Sequence, residues 1–248
     1  MNPLLVALDV DTAWEALALA DTLRGVAGGF KIGSRLFTAE GPSVVTRLID
    51  RGDRVFLDLK FHDIPSTVAG AVEAATRLGV WMLNVHASGG LDMMRAAKAA
   101  AAETAAKTGL RASLVVAVTL LTSLEQQALA GLGVAEGVDE HVDRLARLTS
   151  EAGLDGVVAS PREITRIRRW ADSRFLIVTP GIRTGERTDD QARTSGAAEA
   201  LRAGASYLVV GRPIIKAADP RAAAGRILEE LKESTPASGE AGTPGDRR

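Results

Sequence analysis

The chain contains no cysteine, which excludes disulfides, thiolate metal ligands and thiol nucleophiles together. Histidine is scarce as well: His62, His86 and His141 are the only three, too few for a multi-histidine metal centre. No run approaches the roughly 20 apolar residues that a membrane span needs. The first residues, Met1 to Asp9, lack the basic start and long apolar stretch of a secretion signal. A soluble, cytoplasmic protein with no membrane partner is therefore expected. An excess of charge of one sign is missing too, with 30 Lys and Arg against 31 Asp and Glu and a net charge of −1. Nothing global favours nucleic acid, although a small anionic ligand needs only a few local donors.

What is present is a chain of 248 residues, 46% hydrophobic and 25% charged, long enough to bury one sizeable core. Short β-rich apolar runs alternate with longer helical segments throughout. The strand candidates are 4–10, 29–33, 55–60, 81–87, 112–120, 156–160, 175–182 and 207–214. Helical patterns follow them at 14–23, 43–50, 67–78, 91–107, 138–152, 162–170, 192–203 and 221–231. Regular β-α alternation argues for parallel strands joined by crossover helices. Eight such units fit a single-domain (β/α)8 TIM barrel over residues 1–232. An open doubly wound sheet is disfavoured because no Gly-x-Gly-x-x-Gly turn follows the first strand candidate. Residues 233–248, rich in Pro, Gly, Ala, Ser and Thr, cannot bury much surface and are expected to form a disordered tail.

The strand candidates end in polar residues, among them Asp9, Lys31, Asp58 with Lys60, His86, Thr119 and Ser160. In a barrel these ends converge on one mouth, the face where catalysis takes place. Along the third run, alternation puts Phe56, Asp58 and Lys60 on one face and Val55, Leu57 and Leu59 on the other. Asp63 lies just beyond, before Pro65, which suits a first helical position. An ammonium among carboxylates stays charged. It is a poor imine-forming nucleophile but a suitable proton donor and a partner for a carbanion. The bland reading of the same residues is a structural salt-bridge network.

A second feature suits phosphate. Thr179-Pro-Gly-Ile-Arg183 ends the seventh run and Val209-Val-Gly-Arg-Pro-Ile214 lies in the eighth. The loops after strands seven and eight are the usual phosphate site of this fold. Gly181 and Gly211 permit close backbone approach, Arg212 offers a planar fork, and Gln191 lies in a loop that could close as a lid.

Asp58-Leu-Lys-Phe-His-Asp-Ile-Pro65 resembles the signature of the orotidine 5′-phosphate decarboxylase family in its bacterial type. Ala7-Leu-Asp9, Phe30-Lys-Ile-Gly33, Asn84-Val-His-Ala87, Val118-Thr-Leu-Leu-Thr-Ser123, Thr179-Pro-Gly-Ile-Arg183 and Val210-Gly-Arg-Pro213 are similar to its other strand-end motifs, in order. The resemblance implies conversion of orotidine monophosphate to UMP and CO₂ in pyrimidine biosynthesis, without metal or other cofactor. By the same resemblance Asp9 and Lys31 would hold ribose hydroxyls. Asp58, Lys60 and Asp63 would form the charged array, with Lys60 protonating C6. Thr119 and Ser123 would border the pyrimidine, with Pro180 beside it. Gln191, Gly211 and Arg212 would bind phosphate, with Arg183 in the mobile loop nearby. Asp63 and Thr67 would reach the active site of the neighbouring subunit in a homodimer.

Two rivals remain at this level. One is a Mg²⁺-dependent sugar-phosphate β-keto acid decarboxylase or aldolase on a similar barrel, which can also show Asp-x-Lys-x-x-Asp. The other is a catalytically silent phosphate-binding barrel. Of the other polar residues, His86 suits a hydrogen-bonding role behind the site and His62 a structural one. His141 reads as a surface residue. The arginines between Arg162 and Arg169 read as the solvated face of a helix that buries Ile164 and Ile167.

Overall fold

The computed structural model describes residues 2–182 and 196–233. Of the expected tail 233–248 only Glu233 is described, as the last residue of the final helix; the rest of it, and separately Arg183 and Gln191, lie outside the described residues. The strands are β1 (Leu4–Ala7), β2 (Gly29–Gly33), β3 (Val55–Phe61), β4 (Met82–His86), β5 (Leu114–Val118), β6 (Gly156–Val158), β7 (Leu176–Thr179) and β8 (Tyr207–Val210). They close in the order β1 to β8, every neighbouring pair parallel, with β8 returning to β1. The chain is thus a single-domain (β/α)8 barrel.

The helices are α1 (Ala13–Leu23), α2 (Ser34–Glu40), α3 (Ser43–Ile49), α4 (Pro65–Arg77), α5 (Gly90–Thr108), α6 (Gln126–Gly131), α7 (Val138–Glu151), α8 (Ile164–Arg168), α9 (Ala197–Arg202), α10 (Arg212–Ile215) and α11 (Pro220–Glu233). Strand alternation separates two apolar layers. Leu4, Val6 and Leu8 point outward and join the helices, as do Val55 and Leu57. Leu5, Ala7, Phe56, Met82, Val116, Val178, Tyr207 and Val209 point inward and plug the barrel. The interior is therefore a packed core up to the level where the polar strand ends begin.

The structure departs from the sequence expectations in four places. The eighth strand stops at Val210, and the expected strand residues Arg212 to Ile214 form α10, because Pro213 cannot donate to a ladder. Helices α2 and α6 occupy stretches with no separate helical expectation. His141 is buried: its Nδ1 lies 2.6 Å from Glu136 Oε1, with Arg144 on the same carboxylate. A polar helix face had pointed to the surface, but the segment before α7 folds back and covers it. Arg168 is not a solvated arginine either. It donates to the carbonyls of Gly204, Asp172 and Phe175 and to Ser206 Oγ. Ile164 and Ile167 are fully buried, as their spacing requires.

Candidate active site

At the C-terminal mouth, three adjacent strands bring oppositely charged side chains into an alternating row. Lys31 Nζ on β2 lies 3.1 Å from Asp9 Oδ1, just past β1, and 3.3 Å from Asp58 Oδ2 on β3. Lys60 Nζ lies 2.6 Å from the other oxygen of Asp58. The inner pair is almost dry, with side chains 11% and 12% exposed for Lys31 and Asp58, whereas Lys60 is 35% and Asp9 52% exposed. Both ends of the row thus face the cavity while its middle is anchored in the barrel wall. Gly33 makes room for it: a Cβ there would stand 3.0 Å from Lys31 Nζ.

Burial alone would disfavour each inner charge, and the partners decide the outcome. Burial lowers the Lys31 pKa, but the carboxylates of Asp58 and Asp9 outweigh it and hold the ammonium above its ordinary range. Burial raises that of Asp58, but Lys31, Lys60 and the Asn84 amide outweigh it and keep the carboxyl below the usual range. His86 ends β4 near the row, its ring 5.4 Å from that of the exposed His62. Burial, then the neighbouring His62 and Lys60, depress its pKa, so His86 is a neutral imidazole at pH 7.

The row forms one wall of a cavity of about 280 Å³. Val118, Val158 and Pro180 supply an apolar wall, and Leu121 and Thr122 reach it from the loop after β5. Gly181, Gly211 and Arg212 line it beyond β7 and β8. Gly181 has φ +77°, a conformation that side chains with a Cβ resist. An elongated molecule with a flat apolar part, hydroxyls and an anionic end matches this distribution.

Of the residues singled out in the sequence, Asp9, Lys31, Asp58, Lys60, Pro180, Gly211 and Arg212 line this one cavity. Thr119 is buried with its hydroxyl donating to Val158 O at 3.2 Å, and Ser123 is exposed; neither lines the cavity, whereas Thr122 between them does. Asp63 is not drawn to Lys60 within the chain. It is exposed, and its Oδ1 accepts a 2.6 Å hydrogen bond from the Ile64 amide. Thr67, in the first turn of α4, is exposed too. Asn84, present in the sequence only as part of a motif, proves to hold the array from behind. A wholly buried amide inside the apolar run of β4 was the signal that could have marked it. Among the described residues, no group of three or more His, Cys, Asp or Glu side chains is arranged to hold a metal ion.

The chain is similar to known proteins along almost its whole length. The family model described as orotidine 5′-phosphate decarboxylase / HUMPS matches residues 2–227. An orotidine 5′-phosphate decarboxylase of Moorella thermoacetica is 54% identical over 233 residues, covering 93% of this chain and 92% of the relative. Its namesake from Dichelobacter nodosus is 51% identical over 231 residues, covering 93% and 99%. The crystal structure of orotidine 5′-phosphate decarboxylase from Lactobacillus acidophilus superposes with a TM-score of 0.83 at 34% identity, covering 93% of this chain and 99% of the other. On the barrel, the mouth and this similarity together, the chain belongs to the orotidine 5′-phosphate decarboxylase / HUMPS family.

Proposed function

We propose that this chain decarboxylates orotidine 5′-phosphate to UMP and CO₂, in the cytoplasm and as a step of pyrimidine biosynthesis. The observation that carries the reading is the Asp9–Lys31–Asp58–Lys60 row on the wall of a cavity whose far side offers Gly211 and Arg212. Relatives near 50% identity that bear the decarboxylase name favour it over the sugar-phosphate rival.

In this reading the phosphate sits against Arg212 and the Gly211 backbone, with Gln191 and Arg183 completing the grip from the segment outside the described residues. Asp9 and Lys31 hold the ribose hydroxyls. The pyrimidine lies along Pro180, bordered by the segment from Thr119 to Ser123. The C6–carboxylate bond breaks, CO₂ departs, and the electron pair stays on C6, where the ring cannot delocalise it. Lys60, fixed as an ammonium by Asp58, meets that charge with a preorganised positive charge and then gives its proton to C6. The lysine regains a proton from solvent when UMP leaves. Phosphate binding far from C6 supplies energy for closing the site, which excludes water and strengthens every charge interaction inside it.

The array is completed across a homodimer. Asp63, Ile64 and Thr67 are all exposed in the single chain and so stand clear to meet a second copy. They supply Asp63 and Thr67 to the partner's mouth. There the second carboxylate flanks Lys60 and stands near the substrate carboxylate, adding repulsion that departs with CO₂.

The deciding experiment follows the loss of orotidine monophosphate absorbance with the purified protein, with and without a strong chelator. Turnover unchanged by the chelator is expected, because both strand-end carboxylates, Asp9 and Asp58, are already engaged by lysines. A strict Mg²⁺ requirement would favour the sugar-phosphate reading, and no turnover under either condition would favour a silent barrel.

A further inference from the structure

One backbone residue in the mouth is out of the ordinary. Lys60 has φ +54°, and it is the only non-glycine residue with positive φ among the described residues. A side chain with a Cβ pays for that conformation in steric contact with its own backbone. It arises because β3 slips against β4: Leu57 stands opposite Leu83, yet Phe61 stands opposite Val85, four residues of advance against two. The bulge turns the Lys60 amide out of the regular ladder.

Asn84 meets it there. Its Oδ1 accepts the Lys60 N–H at 2.8 Å. Its Nδ2 donates at 2.7 Å to Asp58 Oδ1, the same oxygen that receives Lys60 Nζ at 2.6 Å. A single amide group, fully buried, thereby grips the backbone of one partner and the carboxylate of the other. An amide suits both bonds, since it offers a donor and an acceptor from one short planar head that stays uncharged at every pH of interest. A merely space-filling asparagine would need neither bond.

We propose that Asn84 is a positioning residue for the decarboxylation: it fixes the strained backbone of Lys60 and the rotamer of Asp58 together, and so sets where the ammonium proton stands. The proposal rests on the decarboxylase reading. It has a consequence that a packing role lacks. Asp58 is faced by Lys31 from β2 (itself on Asp9 beyond β1), by Lys60 from its own strand, and by Asn84 and His86 from β4. Removing the amide donor takes away one of the groups that favour the Asp58 anion, so Asp58 should protonate at higher pH.

The test compares wild type, Asn84→Ala and Asn84→Asp for orotidine monophosphate turnover across pH, for UMP affinity, and for unfolding midpoint. Wild-type turnover checks the decarboxylase reading separately. Asn84→Ala should lose at least about thirtyfold in kcat, keep UMP affinity within about threefold, and show the acid limb of kcat/KM moved to higher pH. Asn84→Asp keeps the size and the acceptor but puts a carboxylate against Asp58. It should be slow near neutrality and recover as the pair takes up one shared proton, which restores a donor to Asp58. The proposal is overturned if Asn84→Ala stays within threefold of wild-type kcat, or if kcat and UMP affinity fall in parallel. Should Asn84→Ala not fold, Asn84→Asp decides, and a rate that is flat or declining on acidification overturns it.

Discussion

At the scale of single residues, the charged row shows how burial and pairing compete. Lys31 and Asp58 sit in a wall where an isolated charge would be neutralised, and each remains ionised because the other is there. The signs of the two shifts define a pH window. Asp58 has its pKa depressed below the ordinary 3.8, so its ionic contribution to stability is present above that value and is lost as pH falls through the folded pKa. The Lys31 pKa is raised above 10.5, so its contribution is present below that value and is lost as pH rises through the folded pKa. Unfolding free energy measured by denaturant titration should therefore show no loss attributable to this pair between about pH 5 and 9. Asp58→Asn should be destabilised throughout that range, because it leaves Lys31 buried with only Asp9. A pair contribution that fades between pH 5 and 7 would mean the row is not ionised as described.

At the scale of elements, the barrel divides its labour between its two ends. The C-terminal ends of β1 to β3 hold the charged row, with Asn84 of β4 behind it, and structural contacts tie the strand approaches together at the opposite end. Arg168, at the end of α8, ties the approach to β7, through Asp172 and Phe175, to the approach to β8, through Gly204 and Ser206. Gly204, with φ +108°, leaves room for it, since a Cβ there would come within 2.8 Å of Arg168 Cγ. A guanidinium can serve these acceptors together, whereas an ammonium on a flexible stem cannot match the fork. Arg168→Ala and Arg168→Lys should both destabilise the fold, the alanine variant by about 2 kcal/mol, because carbonyls are left unpaired. Chemical denaturation measures the loss, and kcat should change little because the cavity is lined from the other end. A large drop in kcat with unchanged stability would contradict this division.

At the scale of the whole molecule, the single chain offers Lys60 to its own cavity, whereas Asp63 and Thr67 are exposed and do not line it. If each mouth takes its second carboxylate from a two-fold partner, Lys60→Ala and Asp63→Ala homodimers should each be nearly inactive. Mixing them under subunit exchange should restore activity. A hybrid carries one site with both lesions and one intact site, built from Lys60 of one chain and Asp63 of the other. Random exchange makes roughly half the dimers hybrids, so activity should approach roughly a quarter of wild type. Hybrids that demonstrably form, shown by native mass measurement, and stay inactive would place Asp63 in its own barrel.

Periodicity alone determined the eight β-α units, the closed barrel and the mouth-facing placement of Asp58 and Lys60, because these follow from local alternation and chain length. The motif spacing likewise brought Asp9, Lys31, Pro180, Gly211 and Arg212 to one mouth, since strand ends in a barrel must converge. Tertiary structure alone decided what bonds to what. Lys31, rather than Lys60, is the ammonium held between two carboxylates within the chain, because β2 lies between the strand ends that carry Asp9 and Asp58. The left-handed Lys60 and its hold by Asn84 come from a register slip between β3 and β4, and such a slip has no signature in the alternation of either strand. The buried His141 and the half-buried Arg168 belong to the same class: Glu136, just before α7, and Gly204 and Ser206, before β8, are brought to them by the path of the chain outside their own helices, which the composition of a helix face does not record.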